Sequence, residues 1–173
     1  MTNPVKTIPQ RCVYSFVPSP FGPFTVVVCD LGVQSIQWPR TRESRGTSPG
    51  TSGPDRCDDH PILERLAAQL PEYFAGTRQC FDIPLVLNGT PFQNSVWNAL
   101  QEIRYGHTMS YEEQAIRVGG KEKVRAVGQA IGRNPIPILI PCHRVIGKNG
   151  SLTGFGGGLA IKTFLLDLES RGP

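Results

Sequence analysis

Ser110-Tyr111-Glu112-Glu113, the run on to Val118, the pair Gly119-Gly120, and then Glu122 to Gly132 decide how this chain is read. Ser110 followed three residues later by Glu113 is a capping box, so a helix is predicted from Tyr111 to about Val118. Two glycines then make a turn. A second short helix over Glu122 to Gly132 carries small residues at Ala126, Gly128 and Ala130, and Arg125 near its start. Two short helices joined by a glycine turn, with basic ends, is the layout of a helix-turn-helix. Helical hairpins that bind nothing share this pattern, so the chemistry must come from the flanks.

Beyond the second helix lie Asn134-Pro135, the apolar run Ile136-Pro137-Ile138-Leu139-Ile140, and Pro141-Cys142-His143-Arg144-Val145. The prolines stiffen the backbone that presents the thiol. A free cysteine has a pKa near ~8.5 and reacts as the thiolate, so a nucleophilic Cys142 needs a neighbour or field favouring the anion. His143 and Arg144 are suited to that. A buried cysteine often serves as a small apolar filler, but a filler has no need of polar companions. Lys148-Asn149-Gly150 makes a turn and leads to Gly154-Phe155-Gly156-Gly157-Gly158. This is not a dinucleotide fingerprint, because no βαβ unit surrounds it; its use is close approach of backbone. Leu159 to Glu169 is an amphipathic helix with Ile161, Phe164, Leu165 and Leu168 toward a core.

In the other direction, Thr90, Pro91 and Gln93 form a second capping box opening a helix with Val96, Trp97, Leu100 and Ile103 on one face. Asn88-Gly89 is a natural boundary, giving units 1–88 and 89–173. The first unit begins with strands Val13 to Val17 and Phe24 to Cys29 around Pro18-Ser19-Pro20-Phe21-Gly22-Pro23, with Ile36-Gln37-Trp38 as a third. Thr41 to Asp59 reads as a mobile surface loop. Ile62, Leu63, Leu66, Leu70 and Phe74 mark a helix that Pro71 is expected to bend or split. Phe81 to Leu87 reads as a last strand.

The 173 residues can bury a real core in one domain or two small ones. No apolar run approaches the ~20 residues of a membrane span, and the first residues hold no apolar signal core, so a cytoplasmic location is expected. Five cysteines, Cys12, Cys29, Cys57, Cys80 and Cys142, have no repeated spacing. Reduced thiols and no local zinc knuckle are expected. The first 88 residues hold eight Lys+Arg against eight Asp+Glu and the rest ten against six, so the whole +4 lies in the second half. Arg117, Lys121, Lys123, Arg125, Arg133, Arg144 and Lys148 are a density that suits a phosphate backbone, though a solvated basic face without a partner has the same composition.

Ser110-Tyr111, Arg125-Ala126-Val127-Gly128, Asn134-Pro135, Pro141 to Gly147 and Gly154 to Gly158 together resemble the O6-alkylguanine-DNA alkyltransferases, in order and spacing over most of residues 90–169. The first half fits more loosely, through Ser19 to Pro23 and Tyr73-Phe74-Ala75-Gly76. The resemblance implies an α+β fold: a small ribonuclease H-like antiparallel sheet with a helix, then a mainly helical unit with the helix-turn-helix. It implies direct repair, in which Cys142 takes the alkyl group from O6 of guanine, or of O4 of thymine, irreversibly and once. His143 would act as base through a water, Glu169 would orient it and Asn134 would brace the turn before the cysteine. Tyr111 and the Gly156 amide would donate to the base, and the carbonyls of Cys142 and Val145 would accept from it, with Phe155 and Gly156 bearing on alkyl size. Arg125 would fill the gap left by an extruded nucleotide, and Ala126, Gly128 and Ala130 would let the helix enter the minor groove, with Lys121 and Lys123 near phosphate. The implied partner is duplex DNA carrying O6-alkylguanine, bound by a monomer, with no cofactor and no metal. Two other readings stay open: a lesion-binding protein without catalysis, against which Cys142 argues, and a cysteine hydrolase built on Cys142, His143 and Glu169.

Overall fold

The computed structural model describes residues 11–39 and 54–172. Strands β1 (Cys12–Val17), β2 (Phe24–Cys29) and β3 (Gly32–Gln37) form an antiparallel meander. Alternation puts Val13, Ser15 and Val17 of β1 and Phe24, Val26 and Val28 of β2 on the buried face, as the two-residue period of a strand requires. A fourth strand, β4 (Asp55–Arg56), adds in parallel to β1, giving the order β3-β2-β1-β4. The end of the stretch read as a loop is thus part of the sheet edge; residues 41–53 of that stretch lie outside the described residues.

Helix α1 (Pro61–Phe74) is capped by His60 and lays Ile62, Leu63, Leu66, Leu70 and Tyr73 against the sheet. It runs unbroken through Pro71, contrary to the expected split. A proline removes one N–H donor but still accepts. Here the Ala75 amide donates to the Pro71 carbonyl at 2.9 Å and the helix ends one turn later.

Residues 81–87 are not a strand either. They run beside β3 with a single bridge, Val33 to Leu85, flanked by Val33 N to Pro84 O at 2.8 Å and Val86 N to Val33 O at 2.9 Å. Pro84 has no amide to continue a ladder, and the Asp82 amide is taken by the Gln69 side chain at 2.9 Å. Gly32 permits the approach, since a Cβ there would sit 2.5 Å from the Pro84 oxygen.

Cys12 and Cys29 are opposite partners in the β1–β2 register with Cα atoms 4.2 Å apart, and they form a disulfide. This corrects the expectation of reduced thiols throughout. Their 17-residue separation concealed a pairing that the antiparallel register creates. Cys57, Cys80 and Cys142 are free.

The second half is helical. Helix α2 (Pro91–Gln101) has the Thr90–Gln93 capping box, and α3 (Tyr111–Arg117) has the Ser110–Glu113 box; each such cap contributes about 1 kcal/mol. A 3-10 turn (Lys121–Lys123) leads into α4 (Val124–Gly132). Val96, Trp97 and Leu100 of α2 meet Val127, Ala130 and Ile131 of α4 in the core, and the Trp97 indole donates to the Ala130 carbonyl at 2.9 Å. A two-residue parallel pair, β5 (Met109–Ser110) with β6 (Val145–Ile146), ties the start of α3 to the chain leaving the cysteine. Helix α5 (Leu159–Ser170) closes the unit. The two halves share one apolar core and are stitched by Ile36 N to Pro135 O at 2.8 Å.

Candidate active site

Asn134 shapes the segment that delivers the thiol. Its side-chain amide donates to the Ile140 carbonyl at 2.8 Å, while its oxygen accepts from the Ile136 amide at 3.0 Å. One side chain thus closes the six-residue excursion from both ends. Within it Ile138 holds φ at 75°, a region that a β-branched residue enters only when its surroundings force it, at about 1–3 kcal/mol. Such strain is a pointer to function, and the segment ends at the nucleophile candidate.

Cys142 opens a 3-10 turn (Cys142–Arg144) and is 7% exposed. Burial pushes its thiol pKa up, opposed by the Asn134 hydrogen bond and by the charge of Lys162. His143 is fully buried, and its Nε2 donates to Glu169 Oε1 at 2.8 Å. Desolvation lowers the histidine pKa, with Glu169 working the other way, so the ring is neutral at rest. With Nε2 carrying the proton, Nδ1 is an acceptor. Among the described residues it is buried without a hydrogen-bond partner, an uncommon state for a buried polar atom that invites a functional account.

Glu169 is the most heavily satisfied group in the site. Oε1 also receives Tyr73 Oη at 2.6 Å and Arg144 Nη2 at 2.9 Å, and Oε2 receives Arg144 Nε at 2.8 Å and the Gly106 amide at 3.3 Å. Burial would raise its pKa, but the donors of His143 and Arg144 outweigh that and bring it to about 2. A carboxylate in the last turn of α5 opposes the helix dipole; these donors overcome it.

Lys162 lies on the same face of α5 as Leu165 and Glu169 and is fully buried. Its Nζ donates to the Val145 carbonyl at 2.6 Å and the Thr153 carbonyl at 3.0 Å, and lies 5.9 Å from the centre of the Tyr111 ring. Desolvation lowers its pKa while Cys142 raises it. The Tyr111 hydroxyl donates to the same Thr153 carbonyl at 3.3 Å. Gly156 is exposed, Phe155 half-buried, and Phe155 packs edge-on to Trp38 of the first unit at 5.4 Å. Trp38 also explains Gly157, where a Cβ would lie 2.9 Å from the indole.

On α4, Arg125, Ala126 and Gln129 are exposed, and Gly128 rests against the Tyr111 ring, where a Cβ would come to 3.9 Å. Ala130 is different. It is 3% exposed and faces the core, so it is withdrawn from the candidate DNA contacts: five residues beyond Arg125 is the wrong side of a short helix. The supposed basic face also thins. Arg144 is buried on Glu169, Arg117 pairs with Glu102 at 3.2 Å and Lys148 with Glu112 at 2.8 Å. Lys121, Lys123, Arg125 and Arg133 remain, grouped at the two ends of α4.

Residues 91–171 match the family described as 6-O-methylguanine DNA methyltransferase, DNA binding domain, and residues 12–87 match its ribonuclease-like domain. The chain belongs to the 6-O-methylguanine DNA methyltransferase family. It is 41% identical over 157 residues to the methylated-DNA–protein-cysteine methyltransferase of Haemophilus influenzae, covering 90% of this chain and 85% of the relative. The Methanosarcina acetivorans protein of the same name is 43% identical, covering 90% and 97%. Among solved structures, Mycobacterium tuberculosis O6-methylguanine methyltransferase superposes with a TM-score of 0.81 at 40% identity, covering 94% of each chain. The same organism's OGT in complex with DNA gives 0.79 at 42%, covering 92% and 94%. The α+β architecture of the family, a ribonuclease-like unit before a DNA-binding unit, is the one found here.

The structure brings Asn134, Cys142, His143 and Glu169 into one buried network, with Tyr111 and Val145 joined to it through Lys162. Two participants were not singled out from sequence, Lys162 and Tyr73, and Arg144, read as a neighbour favouring the thiolate, is instead clamped on Glu169. A signal existed for Lys162, since seven residues before Glu169 is the same helix face two turns away. Among the described residues, no three His, Cys, Asp or Glu side chains are grouped to hold a metal, and no helix is long and apolar enough to cross a membrane.

Proposed function

We propose that this protein repairs DNA by moving a methyl or other alkyl group from O6 of guanine onto Cys142. The single observation that carries the reading is the buried His143–Glu169 pair directly beside the buried Cys142, next to a helix-turn-helix whose second helix exposes Arg125. The Cys142 proton passes through a water to His143 Nδ1, the one ring position left to accept it. Lys162 stabilises the thiolate that results. Sγ then attacks the alkyl carbon; the S–C bond forms as the C–O6 bond breaks, and the electron pair leaves with guanine. The departing base gains negative charge, and the Tyr111 hydroxyl and Gly156 amide are the donors within the site for it. The carbonyls of Cys142 and Val145 face the exocyclic amine, while Phe155 with Gly156 sets the room for the alkyl group. The thioether does not leave, so each molecule acts once.

A stacked base cannot reach a thiol that is 7% exposed. The nucleotide is therefore flipped out, at a few kcal/mol, with Arg125 entering the gap and Ala126 and Gly128 allowing α4 to lie in the minor groove. Lys121 and Lys123 contact phosphate. Residues 89–173 bind DNA and accept the alkyl group, and residues 1–88 support them. The protein works where its DNA substrate is, and the cytoplasm is the location proposed for it.

Incubation with duplex DNA bearing labelled O6-methylguanine tests this. One equivalent of label should move to protein and stop there. Intact protein that takes up none contradicts the proposal, and repeated turnover of an ester or amide would instead mark a cysteine hydrolase.

A further inference from the structure

Tyr73 belongs to α1, in the first unit, yet its hydroxyl ends on Glu169 of α5 in the second. The side chain is fully buried and its ring is fixed by Phe74, Phe81 and Tyr105 at 5.5, 5.3 and 6.1 Å. The hydroxyl oxygen is 2.6 Å from Glu169 Oε1 and 3.5 Å from His143 Nε2. It thus meets the same carboxylate oxygen that receives the histidine proton. We propose that Tyr73 is a positioning residue for alkyl transfer, lent by the first unit, which holds Glu169 in the place where it fixes the tautomer of His143.

The argument is one of competing donors. Oε1 accepts from Tyr73, His143 and Arg144, so it cannot rotate toward any one of them without losing the others. Arg144 already holds both oxygens in a bidentate pair, Nη2 to Oε1 and Nε to Oε2; Tyr73 adds a donor on the one oxygen that His143 uses. Every charged or titratable group facing the pair enters the balance: Arg144 from the 3-10 turn, Tyr105 before β5, Lys162 from α5, and Tyr73 itself. Burial and the carboxylate both drive the Tyr73 hydroxyl far above its usual range, so it is a permanent donor. A hydrogen bond to the charged form of an acid favours that form. Deleting it raises the Glu169 pKa and loosens the carboxylate that holds His143.

The proposal rests on the transfer reading above, and its test has a readout that does not. Carboxyl-carbon NMR titration of Glu169 is compared in the full-length wild type and in Tyr73→Phe, which keeps the ring contacts. The Phe variant is expected to move the midpoint up by about half a unit and to slow single-turnover transfer at neutral pH. Val26→Ala, in the sheet core of the first unit and away from the site, should lower thermal stability and leave both the midpoint and the rate unmoved. Incorporation of 3-fluorotyrosine at position 73, a stronger donor of the same shape, should move the Glu169 midpoint to lower pH. A Phe variant that titrates like the wild type and loses only stability overturns the proposal. Absence of transfer by the wild type would instead sink the function, while the titration would still decide the role of Tyr73.

Discussion

Lys162 is a fully buried ammonium bonded to two carbonyls and to no carboxylate. Such a charge is costly unless something compensates it, and the Cys142 thiolate is the anion within its field. Lys162→Met keeps the stem and removes the charge. Its single-turnover rate at neutral pH should fall about tenfold or more, the equivalent of one unit in the thiol pKa, and the gap should narrow as pH rises. A parallel pH profile for variant and wild type would show that Lys162 only holds the two loops together. Cys142, His143 and Asn134 were legible because their neighbours in sequence are their neighbours in the site. Lys162 was legible only through its spacing from Glu169, and Tyr73 not at all. An amphipathic reading of α5 places a lysine on the wet side, and no local pattern tells that the hydroxyl of a tyrosine in one unit ends on a glutamate in the other.

Helix α4 shows how a period decides what a motif can do. The helix-turn-helix, both capping boxes and the glycine turn follow from local chemistry, and the structure has them at the expected residues. The face was harder to read, because small residues suit both a groove and a tight core: Ala126 points out and Ala130 in. Arg125→Ala should slow repair of a lesion in duplex DNA about tenfold more than reaction with the free modified base, since only the duplex demands extrusion. Equal slowing on both would count against that role. The strand expected at residues 81–87 failed for a related reason: a run of apolar residues looks like a strand, but Pro84 and the Gln69 bond to Asp82 use up the amides a ladder needs.

The molecule as a whole depends on the contact between its units. Ile36 to Pro135, Trp38 to Phe155 and Tyr73 to Glu169 all cross it, which makes the first unit a buttress for the active site. The fold class was legible through the family resemblance, whereas the Cys12–Cys29 bridge and β4 appear only once strands are paired. Glu169 also links stability to pH. Its folded pKa, about 2, lies below the ordinary glutamate value of 4.5, so its contribution is present above about 4.5 and lost as pH falls toward 2. Thermal unfolding of the wild type should therefore weaken across that window, and Glu169→Gln should be less stable at neutral pH with a flatter acid slope. Equal slopes would remove the carboxylate from the account. The central claim concerns one sulfur atom. After exposure to duplex DNA carrying O6-methylguanine, mass spectrometry of the Cys142 peptide should show one added methyl group on the cysteine, matched mole for mole by repaired guanine, and none in Cys142→Ala, which still binds DNA. A methyl found on another side chain, or none after prolonged exposure of the intact protein, would contradict it.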